Sequence, residues 1–96
     1  MKTVEKQRVR EEVEMKRVVR YRGRERIEYS LIYEERDGRD SYSIRAVSYV
    51  GADEVCRASA CDVSSLEDAA ERMFTQIYSH MVEPYVLCDV VYDLLP

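Results

Sequence analysis

The chain has no tryptophan, one histidine, one phenylalanine, three glycines and two prolines among its 96 residues. Each scarcity removes a class of explanation. Gly23, Gly38 and Gly51 stand alone, so no glycine-rich loop is available to cradle a phosphate, and each reads better as a turn. So few glycines and prolines also leave no room for a flexible linker. With His80 the only histidine and no GxSxG motif, a base–nucleophile relay has little to draw on, and His80 is expected as a polar residue near a helix C-terminus. Asp89 with Asp93, and Glu67 with Asp68 and Glu71, fit solvated helix faces better than acid–base pairs, so no enzymatic activity is expected.

Cysteine is scarce as well. Cys56, Cys61 and Cys88 are odd in number and lack CxxC spacing, and His80 belongs to no HxxxH, so a zinc site built from these four is not expected. Unpaired thiols of this kind suit a reducing cytoplasm better than a disulfide framework. The longest uncharged run, Met73 to Val82, falls far short of the roughly 18 residues that a membrane-spanning helix requires. The start, "MKTVEKQRVREEVEMKR", is charged every few residues and has no apolar h-region, so neither a signal peptide nor a membrane anchor is expected. No cofactor and no membrane partner are expected.

What the chain does have is charge, tyrosine and apolar periodicity. Apolar residues make up 46% and charged residues 35%, the balance of a folded soluble protein. The net charge of −4 hides an asymmetry: residues 1–26 hold ten Lys/Arg and five Glu, a net +5, while residues 27–96 hold five Arg and fourteen Asp/Glu, a net −9. Such a split can serve a nucleic-acid-facing arm, or the two parts can neutralise each other within one fold or across a dimer.

Ile27, Tyr29, Leu31 and Tyr33 alternate with Glu28, Ser30, Ile32 and Glu34, the period of two that marks a half-buried strand. Asp37-Gly38 supplies a tight turn, and Tyr42, Ile44 and Ala46 resume the alternation, which predicts an antiparallel hairpin. A second turn at "VGADE" leads into "EVCRASACDV", where Cys56, Ala58 and Ala60 share one parity and leave room for close helix packing. Arg22-Gly23 suggests an additional strand over about 13–22, although the charged run before it also fits a solvated helix.

"DVSSLEDAAERMFTQIYSHM" predicts an amphipathic helix of about four turns, opened by a Ser64/Glu67 capping box and striped by Leu66, Ala69, Ala70, Met73, Phe74, Ile77 and Met81. In the closing "EPYVLCDVVYDLLP", Val86, Leu87, Val90, Val91, Leu94 and Leu95 recur every four positions and not every two. That is a helical period, with Pro84 suited to its first turn. The predicted fold is α+β: an antiparallel meander of three to four strands followed by two C-terminal helices packed on one face. Residues 17–96 form the domain, and residues 1–16 a charged extension whose order is left open. The expected core is Ile27, Tyr29, Leu31, Ile44, Leu66, Met73, Phe74, Ile77, Val90, Val91 and Leu94.

The segments "YSLIYEE", "DG" and "SYSI" within residues 29–44, "DVS" before the first helix and the ending "VEPYVLCDVVYDLL" resemble those of a family of small bacterial proteins, found mainly in Firmicutes and classified as a domain of unknown function. The resemblance covers about residues 17–95 and implies no activity, cofactor or site residues.

Two functional expectations follow. One is a small non-enzymatic binding or regulatory module making protein–protein contacts, including self-association, through a strand edge or through Ile32, Val47 and Tyr49 on the sheet face away from the helices. The other is nucleic-acid binding through residues 16–26, where arginines interleave with a tyrosine. In either case Arg20, Tyr21, Arg22, Arg24 and Arg26 are the expected contact patch. The competing expectation is that these arginines complement the acidic body, Asp89 and Asp93 in particular.

Overall fold

The computed structural model describes residues 12–95. Four strands form one antiparallel sheet in the order of the chain: β1 (Val13–Arg22), β2 (Glu25–Arg36), β3 (Arg39–Val50) and β4 (Asp53–Ser64). Helix α1 (Glu67–Ser79), a 3₁₀ turn (Pro84–Val86) and helix α2 (Leu87–Leu94) follow. This is the α+β meander with two C-terminal helices that the periodicities predict, with all four strands present. β1 takes in residues 13–16 of the expected extension, and residues 1–11 of it lie outside the described residues. No helix among the described residues is long and apolar enough to cross a membrane.

Each hairpin closes with two residues. In the β2–β3 turn Asp37 (φ 52°) and Gly38 (φ 78°) are both left-handed, which gives the turn the twist of the strands it joins. In the β1–β2 turn only Gly23 is left-handed (φ 60°), leaving Arg24 an ordinary backbone at the tip.

The covered face of the sheet carries Ile27, Tyr29, Leu31, Tyr42, Ile44, Ala46 and Ala60, against which α1 lays Ala70, Met73, Phe74 and Ile77. α2 adds Leu87 and Val91 and, with the 3₁₀ turn, packs on β4, where the small Ala58 and Ala60 permit close approach. Tyr29 is wholly buried, and its hydroxyl donates to the Val82 carbonyl at 3.0 Å, tying the sheet to the interhelical loop.

Three local expectations are corrected. Ser64 does not cap α1: it closes β4, and its hydroxyl accepts from the Leu66 amide at 2.9 Å, a local turn two residues before the helix starts. Leu66 is the extended N-cap residue of α1 and is 67% exposed, so it lies outside the core. The inward residues of α2 are Leu87 and Val91, with Val90 and Leu94 on the flank, because the 3₁₀ turn at Pro84 sets the phase of the helix that follows.

Irregularities aim other side chains. Near the end of β4, Asp62 adopts φ 56° in a bulge opposite Ser43; its amide donates to the Ser43 hydroxyl and its carboxylate accepts from Ser41. Aspartate tolerates this conformation better than most residues. The bulge reverses the alternation, so that Val63 turns into the core while Cys61 and Asp62 stay exposed.

Candidate interaction surface

On the open face of the sheet the pleat sets charged residues beside one another. Arg17 bonds Glu14 at 3.0 Å and reaches Glu28 at 3.4 Å; Arg26 bonds Glu28 at 3.2 Å; Arg57 pairs with Glu54 at 2.8 Å, and Arg45 with Glu12 at 3.5 Å. Arg26 also lies over the Tyr49 ring, 4.4 Å from its centroid. The Arg17 guanidinium, as hydrogen-bond donor, holds the Glu14 carboxyl below the ordinary value for glutamate, and Arg57 does the same to Glu54. Ile32 and Val47 do sit on this face, but they are 5% and 6% exposed, so they offer no wet apolar patch. Their pleat neighbours Glu14, Glu28 and Arg57 are long side chains of the kind that lie along apolar surface while keeping their charge in water.

The five residues of the expected contact patch do not form one surface. The two-residue turn places Arg20 opposite Ile27, hence on the covered face, where its guanidinium stands over the Tyr78 ring of α1 at 5.1 Å. Arg22 shares that side and pairs with Glu25 and with Glu83 in the interhelical loop. Arg26 faces the opposite way and is held by Glu28 and Tyr49. Only Tyr21 and Arg24, both exposed near the tip of the β1–β2 hairpin, are without an ion pair, hydrogen bond or ring contact among the described residues. The N-terminal arginine therefore reaches Glu83, and not Asp89 or Asp93 as the charge pattern suggested.

A different surface stands out. Tyr85, in the 3₁₀ turn, and Tyr92, in α2, are 75% and 77% exposed and lie seven residues apart, with the exposed Asp89 between them and Asp93 beside Tyr92. Asp89, Tyr92 and Asp93, at i, i+3 and i+4, lie on the outer side of α2, opposite Leu87 and Val91, and Tyr85 is exposed in the 3₁₀ turn that precedes the helix. The seven-residue spacing of the tyrosines was visible in the sequence; their exposure depended on which way the helix turned.

The thiols do not converge on a site. Cys56 lies on the covered side of β4, Cys61 is exposed beside the bulge, and the Cys88 thiol donates to the Ser59 carbonyl at 3.4 Å. His80 forms the C-cap of α1, its Nδ1 2.9 Å from the Gln76 carbonyl. Among the described residues no three His, Cys, Asp or Glu side chains gather as metal ligands would.

A family model described as a family of unknown function, DUF6514, matches residues 1–96. The chain belongs to DUF6514. The DUF6514 match takes in residues 1–16 as well as the 17–95 spanned by the sequence resemblance, so the charged segment before β1 is part of the family pattern. Comparison with curated proteins finds no match, and neither does comparison with solved structures.

Proposed function

We propose that this DUF6514 chain is a small, non-enzymatic binding module of the bacterial cytoplasm that works through protein–protein contacts, self-association among them. The carrying observation is the pair of exposed tyrosines at the C-terminal end of the chain, Tyr85 in the 3₁₀ turn and Tyr92 beside Asp89 and Asp93 on α2, held in the open on ordered structure. Tyrosine supplies a large, stiff, amphipathic contact area and is over-represented among the residues that dominate interface energies. The cytoplasmic setting is supported by three free cysteines, two of them exposed.

Nucleic-acid binding through residues 16–26 is the weaker reading. Phosphate recognition draws on cations that can exchange counterions for phosphates, and Arg17, Arg22 and Arg26 are committed to carboxylates of the chain itself. The test is to present the full chain to a cytosolic extract with and without nuclease, beside a Tyr85→Ala/Tyr92→Ala variant. The expected result is a protein retained by the parent and lost by the variant, with an unchanged melting temperature. Recovery only of nuclease-sensitive material, dependent on Arg24, would replace this reading with the nucleic-acid one.

A further inference from the structure

The eight tyrosines of the chain divide by what their rings meet. Tyr29 is wholly buried, Tyr33 and Tyr42 pack ring to ring with centroids 5.3 Å apart, and Tyr78 and Tyr49 lie under Arg20 and Arg26. Tyr21, Tyr85 and Tyr92 are exposed and meet no ring or guanidinium among the described residues. The charges around these three differ. Tyr21 sits between Arg20 and Arg22 in β1 and opposite Arg26 in β2, surroundings that disfavour a further cation. The carboxylate nearest to Tyr85 in sequence, Glu83, is taken by Arg22. Tyr92 lies three residues after Asp89 and next to Asp93, both exposed and neither in an ion pair among the described residues.

Three properties of the outer side of α2 draw positive charge to one place. The Tyr92 ring offers its electron-rich face, Asp89 and Asp93 offer carboxylates on the same side of the helix, and the C-terminal end of α2 carries partial negative charge with no basic residue in its last turn. No lysine or arginine occurs after Arg72 in the whole chain, so neither α2 nor the segment leading into it supplies the cation. A nucleic acid or another anionic surface would be repelled here.

Resting on the binding-module reading above, we propose that the Asp89, Tyr92 and Asp93 side of α2 is the docking site for an arginine-bearing segment of a partner protein, one guanidinium lying over the Tyr92 ring while its N–H groups donate to Asp89 or Asp93. The fold builds the same grouping within itself: Arg26 stands over the Tyr49 ring, 4.4 Å from its centroid, and donates to Glu28 at 3.2 Å. Arginine suits the site better than lysine, because a planar guanidinium can stack on a ring and still direct N–H groups in its own plane toward a carboxylate.

The experiment is an NMR titration of the isotope-labelled full chain with a capped peptide of alternating arginine and glycine, beside its lysine and citrulline counterparts. Saturable shifts centred on the amides of residues 89–94 are expected with arginine, weaker binding with lysine and none with neutral citrulline. Tyr92→Leu is expected to weaken the arginine peptide about 2- to 5-fold, the worth of a stacked cation at an exposed site, and Tyr92→Phe to stay within about twofold because the ring face remains. Asp89→Asn/Asp93→Asn is expected to weaken it about 2- to 10-fold. Thermal melts confirm folding, and Tyr92→Gln replaces Tyr92→Leu if the latter fails to fold. Binding that neither the Tyr92 nor the aspartate changes weaken would be attraction to an acidic chain at large, and it overturns this site. Shifts of the same amides that follow the chain's own concentration without peptide make a second copy the occupant and overturn the assignment to a partner segment. No saturable shift up to about 1 mM peptide overturns the proposal outright; the tyrosine-dependent capture from extract then still decides the binding-module reading by itself.

Discussion

The two faces of the sheet are built from the same four strands and held by different physics. The covered face is closed by packing: Ile27, Tyr29, Leu31 and Ile44 are wholly buried against Phe74, Ile77 and Leu87. The open face carries a lattice of arginine–glutamate pairs, with Glu14 beside the buried Ile32 and Glu28 and Arg57 beside the buried Val47. Burial on the first removes apolar area from water and depends little on pH or salt. Exposed pairs on the second gain little net stability and are screened by salt. The difference explains how an arginine-rich hairpin can carry so much charge and still leave little of it for a ligand: most is spent neutralising neighbouring carboxylates.

The sharpest way to expose the contrast is to empty the covered face. Phe74→Ala removes a ring that is 1% exposed and stacks edge-on against Tyr78 with centroids 5.2 Å apart. The loss is expected to be about 3–5 kcal/mol, from lost transfer energy plus the cavity left behind, and urea unfolding measures it. A loss under about 1 kcal/mol would mean that α1 is not what closes the sheet.

Tyr29 makes the covered face sensitive to pH. Burial pushes its phenol up to about 12 from an ordinary 10.0, so the folded chain holds its proton after the unfolded chain has released it. The sign follows: the contribution is intact below pH 10, and stability falls as pH rises toward about 12. Tyr29→Phe deletes the bond to Val82 and is expected to cost about 1 kcal/mol at neutral pH while flattening the alkaline decline. Some decline remains, since the bond from Tyr33 to Asp40 at 2.7 Å also raises that phenol to about 12. An unaltered alkaline profile in the variant would show that Tyr29 is not the group responsible.

The covered face was largely legible in the sequence and the surface chemistry was not, for identifiable reasons. Alternation over 27–33 and the Asp37-Gly38 turn carry the β2–β3 hairpin, and the four-residue recurrence in the last segment carries α2 despite its valines. β1 was ambiguous because a bulge between Glu14 and Lys16 moves Met15 and Val18, three residues apart, toward the same core, which mimics a helical step. Leu66 fell on the stripe of α1 by spacing alone, yet the helix begins one residue later. The arginines were partly readable: a two-residue turn at Gly23-Arg24 forces Arg20 opposite Ile27 and so onto the covered side. That Tyr78 and Glu83 wait there is tertiary information, since α1 and its following loop reach that end of the sheet only after the chain has crossed it four times.

The smallest expected effect probes the open face. Arg17 holds Glu14 below its ordinary 4.5, so the folded chain resists protonating this carboxylate where the unfolded chain accepts a proton. Its contribution is therefore complete above pH 4.5 and disappears as pH falls through the lower folded value. Glu14→Gln keeps the shape, and its amide can still meet the Ser30 hydroxyl that lies 3.3 Å from the native carboxylate. At neutral pH the loss is expected to be at most about 1 kcal/mol, because both partners are in contact with solvent. Acid titration of stability should be shallower in Glu14→Gln, and 1 M salt should bring parent and variant together while leaving the Phe74→Ala deficit in place, since screening acts on exposed charge and not on packing. If salt instead narrowed the Phe74→Ala deficit as much as the Glu14→Gln one, the division of the sheet into a packed face and an electrostatic face would not hold.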